Sequence, residues 1–188
     1  SGAVNTVAGG SPVNLSVHSL YPTLGNHTYT LEVSDGVNAP VTSDIVVNVV
    51  DSTAPTLAPV SSNSILWPPN GEMVEIVIAA NANDDQDGLV TLSAAISTDE
   101  AESGLWGGDI GPDWTAPAID QNTGTISLQL RAERDPSGDG RVYTITITAA
   151  DGSGNRPAPD AGALDGSGAS DSGNSVTARV SHSRGTFR

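Results

Sequence analysis

An alternating strand that runs into an Asp-Gly turn occurs twice in this chain, as Tyr29-Thr-Leu-Glu-Val-Ser-Asp35-Gly36 and as Ile145-Thr-Ile-Thr-Ala-Ala-Asp151-Gly152. Apolar and polar residues in alternation mark a strand with one buried face, and Asp-Gly marks the turn that ends it. Each cassette reads as the close of a β-sandwich, and a seven-stranded sandwich takes about 100 residues. The first cassette has only residues 1–28 ahead of it. The expected fold class is therefore all-β, with a complete sandwich preceded by a partial sandwich segment. In boundaries, 1–50 is the partial segment holding closing strands only, 51–55 a linker, 56–182 the complete sandwich and 183–188 a basic tail. A loop rich in Pro, Ala, Gly and Asp is inserted at 156–170.

No stretch keeps apolar residues at helical spacing, and Gly and Pro interrupt most of the chain. Thr, Val and Ile in short runs predict strands instead. In the partial segment these fall near 13–18, 28–33 and 44–50. In the second module they fall near 56–60, 72–80, 90–96, 125–131, 141–149 and 175–181. The Pro-Pro pair of Leu66-Trp-Pro-Pro-Asn70 predicts an extended edge piece with Trp67 as its inward anchor. Strands 125–131 and 141–149 read as a hairpin joined by 134–140. In the latter, Tyr143, Ile145, Ile147 and Ala149 share one face and Thr144, Thr146 and Thr148 the other.

Charge bounds the partners. Twenty-two acidic residues against seven basic ones give a formal net charge of −15, and the first basic residue is Arg131. Such a surface argues against nucleic acid or an anionic membrane as a partner. The acidity has two explanations: solubility alone, or bound calcium, because the acids cluster with Asn and Gly in loops, where hard oxygen ligands are wanted. Cysteine is absent, which removes disulfides and thiolate metal sites. No run approaches the length of a membrane span. Without an initiator Met, a processed product or an excised piece is expected, and secretion is expected with it. The Asn14-Leu-Ser16 and Asn26-His-Thr28 sequons are compatible with that expectation.

Leu66-Trp-Pro-Pro-Asn70, Pro112-Asp-Trp114, Arg131-Ala-Glu-Arg134, Gly140-Arg-Val-Tyr-Thr-Ile-Thr146 and Asp151-Gly-Ser-Gly-Asn155 together resemble an immunoglobulin-like module of large secreted bacterial proteins. The first segment is similar, more loosely, to the closing half of cadherin-like repeats. The resemblance implies an immunoglobulin-like β-sandwich at the cell surface or outside the cell. It implies a spacer, adhesion or stalk element, often calcium-stiffened, that does no catalysis of its own. Its partners would be neighbouring modules of a parent protein or further copies of the chain. The inserted loop and the basic tail depart from a plain copy of the module.

Three groups of acids are candidate calcium ligands. The densest is Asn83, Asp84, Asp85 and Asp87, with Gly88 to allow a tight bend; it lacks the closing glutamate of an EF-hand loop, and a solvated polar turn is the competing and simpler account. The second follows the cadherin-like resemblance, in which ions sit between domains, and joins Asp51 with turns at the module junction. Asp151, at the end of the second cassette, is a further candidate ligand. The third is Glu100, Asp109 and Asp113, whose carboxylates repel one another unless something cationic sits among them. Asp135 and Asp139 suit either a small loop site or a plain hairpin turn. Trp106 and Trp114 suit either a sugar-stacking platform or plugs for the end of the sandwich. Arg131 and Arg134 flank Glu133, and pairing with carboxylates is the simplest account of them. The three histidines lack metal-ligand spacing and no nucleophile elbow, zinc-protease or phosphate-loop motif occurs, so a non-enzyme is expected. The alternatives are a filament or surface-layer subunit completed by strand exchange between chains, and a carbohydrate-binding module.

Overall fold

A computed structural model of the chain describes residues 23–86, 88, 90–100, 110–158 and 174–181. The expected strand at 13–18, Asp87, Trp106, Asp109, most of the 156–170 insertion and the 183–188 tail lie outside the described residues. The described residues form strands and no helix. The chain divides into two compact units, Ser1–Val50 and Asp51–Arg188.

In the first unit, β1 (Gly25–Val33) and β2 (Val41–Val49) form one antiparallel pair, with Tyr29 opposite Ile45 and Val33 opposite Val41. The Asp35 carboxylate organises their connection by accepting from the Val37 and Asn38 backbone N–H groups, at 2.9 and 2.7 Å, and from the Asn38 side chain at 2.6 Å. These bonds, led by the one from Asn38 N–H, hold the Asp35 carboxyl down at about 2. By register, Tyr29, Leu31, Val33, Val41, Ile45 and Val47 share one face with His27 and Ser43, while Thr28, Thr30, Glu32, Thr42 and Asp44 share the other with Val46. Leu31, Val33, Val41 and Ile45 on the apolar face are exposed.

The second unit is a sandwich of two four-stranded sheets. One has the order β4 (Ile65–Leu66), β10 (Ser175–Val180), β9 (Arg141–Ala150), β6 (Thr91–Thr98). The other has the order β3 (Val60–Ser61), β5 (Met73–Ala79), β8 (Thr125–Arg131), β7 (Ala118–Asp120). All pairs are antiparallel except β10 with β4. Ile76 and Ile78 of β5 and Ile126, Leu128 and Leu130 of β8 meet Tyr143, Ile145 and Ile147 of β9 and Val176 and Val180 of β10 in one buried cluster. Burying each such side chain contributes about 1.5–3 kcal/mol. As expected, Tyr143, Ile145, Ile147 and Ala149 face that core.

Two local expectations are corrected. β8 and β9 are not a hairpin: β8 pairs with β5 and β7, and β9 with β6 and β10, so residues 134–140 cross from one sheet to the other. Alternation reveals which face of a strand is buried, not which strand lies beside it, and two strands facing each other across a core carry the same pattern as two neighbours. Gly140 completes the crossing at φ +117°, where an added Cβ would sit 2.5 Å from the Val180 carbonyl oxygen. Trp67 is not the inward anchor of its segment. Leu66 is fully buried and Trp67 is 39% exposed, because successive side chains of an extended segment point to opposite sides. The 51–55 stretch, expected as a linker, carries buried Asp51 and Pro55.

Candidate metal site and a buried ion-pair cluster

Among the described residues of the second unit, two acidic constellations differ in what balances their charge. The first is built at the end of β9. Asp151 leaves the strand and closes on Asn155: its carboxylate accepts from Asn155 N–H at 2.7 Å and from the Asn155 side chain at 2.8 Å. Burial pushes the Asp151 carboxyl up, yet the Asn155 side chain and the Asn155, Gly154 and Ser153 N–H groups outweigh it and hold the group below its ordinary value. Asp151 is therefore an anion in the folded state at neutral pH. The same Asn155 side-chain nitrogen donates to the Asp51 carbonyl at 3.2 Å, tying the start of the unit to this turn.

Asp84 arrives from the loop between β5 and β6. Backbone bonds between Thr56 and Asn83, at 2.8 and 3.0 Å, pin that loop to the opening residues of the unit. One carboxylate oxygen each from Asp51, Asp84 and Asp151 then lies within 4.8 Å of the others. Asp51 is only 8% exposed. Its Oδ1 accepts from Thr53 N–H at 2.9 Å, while its Oδ2 is buried and accepts no hydrogen bond from the described residues. A buried carboxylate oxygen without a donor is costly, and three carboxylates at this spacing repel. The donor set is all oxygen, which suits a hard cation and not zinc or copper.

The structure thus joins residues from two of the groups singled out in the sequence. Asp84 comes from the acidic loop, Asp51 from the junction group, and Asp151 is the separate candidate at the end of the second cassette. Asn83 contributes its backbone to the Thr56 bridge, and Asp85 is exposed. The third group is held differently. Glu100 and Asp113 flank the guanidinium of Arg141, at 3.2 and 2.8 Å, and both the Arg141 and Asp113 side chains are fully buried. The cation that these carboxylates require is a side chain of the protein.

Arg141 also donates to the Tyr143 hydroxyl at 3.2 Å, and that hydroxyl donates to the Arg131 carbonyl at 2.9 Å. Burial would lower the Arg141 pKa, but the Tyr143 hydroxyl, Asp113 and Glu100 outweigh it and raise it further. Burial likewise pushes the Tyr143 phenol up to about 12. Trp114 completes the cluster edge-on to Tyr143, with ring centroids 6.3 Å apart, and its backbone bridges Leu130. Its partly buried ring packs against the core cluster. Arg131, expected on a carboxylate, donates instead to the Pro112 and Gly71 carbonyls at 3.0 and 2.7 Å, and Arg134 donates to the Asp135 carbonyl. Asp135 accepts from Ser137 N–H and Oγ, both at 2.7 Å, as a turn residue does. Arg141 was overlooked in the sequence, although it shares the inward parity of Tyr143 and Ile145, and a charge at an inward position announces a buried partner.

No family model, curated protein or solved structure matches the chain.

Proposed function

We propose that the second unit is a non-catalytic, calcium-stabilised, immunoglobulin-like module that serves a structural or adhesive role in an extracellular or cell-surface protein. The observation that carries this is the unpartnered, buried Oδ2 of Asp51 in a group whose other members are the carboxylates of Asp84 and Asp151. A divalent cation there would neutralise mutual repulsion and accept the orphaned oxygen. It would also staple three segments remote in sequence: the opening of the unit, the β5–β6 loop and the turn after β9. Its effect is mechanical, since the site lies at the termini of strands whose interior is filled by the core. Neighbouring modules of a parent protein are the natural partners of a unit stiffened at its first residue.

The experiment is thermal unfolding in calcium and in chelator. Calcium modules outside the cell bind with Kd near 10⁻⁴–10⁻³ M, and a ligand at a hundredfold excess over Kd stabilises by about 2.7 kcal/mol. For a unit of this size that is a rise in Tm of roughly 5–10 °C. An unchanged Tm overturns the proposal.

A second role is favoured by the first unit. The described residues of that unit form a single two-stranded pair, an arrangement that is marginal in water without further cover, and the exposed Leu31, Val33, Val41 and Ile45 form an apolar sheet face of the kind that a strand or sheet from another chain covers. Assembly of copies by strand exchange rests on that face. Light scattering on the chain tests it: a salt-independent monomer contradicts it.

A further inference from the structure

β6 is the longest strand at a sheet edge in the second unit, with eight residues against the two or three of β3, β4 and β7. Among the described residues it pairs with β9 on one side only. Edges of this kind are normally blunted by charge, proline or a bulge. Thr91-Leu-Ser-Ala-Ala-Ile-Ser-Thr98 contains no charge and no proline, and its register against β9 runs unbroken from Thr91↔Ala150 to Thr98↔Tyr143.

The hydrogen bonds show which backbone groups are free. Asp99 N–H donates to Val142 O at 3.2 Å, so the odd-numbered residues of β6 turn their N–H and C=O toward β9 and the even-numbered ones turn them outward. At Leu92 the outward pair is already taken. The Gln121 side-chain amide accepts from Leu92 N–H and donates to Leu92 O, both at 2.8 Å, in the manner of a neighbouring strand residue. Past that clasp, Ala94, Ile96 and Thr98 present outward backbone groups that meet no backbone partner among the described residues.

We propose that this edge pairs with the same edge of a second copy of the chain, antiparallel, about a two-fold axis at Ile96. That register places Ile96 opposite Ile96 of the second copy and Ala94 opposite Thr98, all of them outward-facing positions that exchange both of their hydrogen bonds. The side chains agree with it. On the solvent face Ala95 opposes Ser97, and Ser93 opposes Asp99, so no two like charges meet directly. On the inner face the half-buried Ile96 side chains meet across the axis and lengthen the core. The occupant is a second copy because the free run ends at the Gln121 clasp on one side and at Thr98 on the other, and a run centred on Ile96 is complementary to itself. The surface involved is small, so the association is weak and reversible, and the −15 charge opposes it at low salt.

The test is sedimentation equilibrium of the full chain at about 0.15 M salt, where a Debye length of about 8 Å damps the overall charge but leaves directly opposed side chains coupled, on the parent and three variants. Ala94→Pro removes an outward N–H that no neighbour uses, at an edge position where proline is tolerated. Ala95→Lys with Ser97→Lys places lysines opposite lysines at exposed positions, and Ala95→Lys with Ser97→Glu places opposite charges there. The parent is expected to form dimers, Ala94→Pro and the Lys/Lys chain to be monomers, and the Lys/Glu chain to dimerise about tenfold more tightly than the parent. A parent that stays monomeric at every concentration overturns the proposal. So does a dimer indifferent to the Lys/Lys and Lys/Glu changes, which would place association elsewhere, including on the first unit; the Lys pairs keep the test valid if Ala94→Pro fails to fold.

Discussion

Replacing Arg141 by methionine keeps most of the stem and removes only the guanidinium. Its two carboxylate partners among the described residues are unequal. Asp113, at 2.8 Å, is fully buried like Arg141 itself, whereas the Glu100 side chain is 14% exposed and is screened by water. At an effective dielectric near 20, opposite charges about 4 Å apart attract by about 4 kcal/mol, and breaking a buried pair from one side costs about 3–5 kcal/mol. Arg141→Met should therefore destabilise the second unit by about 3–5 kcal/mol at pH 7. Urea unfolding followed by tryptophan fluorescence reports on that unit alone, because Trp67, Trp106 and Trp114 all belong to it. A cost below about 1 kcal/mol would refute Arg141 as the buried counter-ion of this cluster.

Leu66→Ala should cost about 2–5 kcal/mol and Trp67→Ala well under that, since Leu66 is fully buried and its larger neighbour faces outward; equal costs in urea titrations would contradict the assigned facing. In the first unit, Asp35 should titrate by NMR near pH 2, held down first by the Asn38 N–H, then by Val37 N–H and the Asn38 side chain. Because its folded pKa is depressed from 3.8, its contribution to the turn is present above pH 3.8 and lost as pH falls through about 2. Asn38→Ala should move the midpoint back toward 3.8, and an unmoved midpoint would mean that the side-chain bond is not formed.

The layout of buried faces was legible in the chain because it depends on a local period of two. Tyr143, Ile145, Ile147 and Ala149 could be placed inward from their spacing alone, and they are. Pairing was not legible, because it depends on which other strand the chain returns to. β8 and β9 carry the same alternation whether they sit side by side or face each other across the core, and here they face each other. The candidate metal site shows the same division. Asp51, Asp84 and Asp151 were each recognisable as loop acids, yet their convergence depends on the Thr56–Asn83 bridge and on the reach of Asn155 to the Asp51 carbonyl, two contacts that no local pattern encodes. The Glu100 and Asp113 carboxylates needed a cation on electrostatic grounds. That the cation is Arg141 follows from strand register, which brings Asp99 opposite Val142 and so sets Glu100 beside the guanidinium.

Calorimetric titration of calcium into the metal-stripped chain, compared with Asp51→Asn, addresses the central claim directly. The substitution keeps the shape of the side chain and an oxygen for Thr53 N–H, but removes charge from the group that holds the orphaned Oδ2. The account predicts saturable binding by the parent, reversed by chelator, and at least about a tenfold loss of affinity in a variant that remains folded. Absence of binding by the parent, or equal affinity in Asp51→Asn, would contradict it.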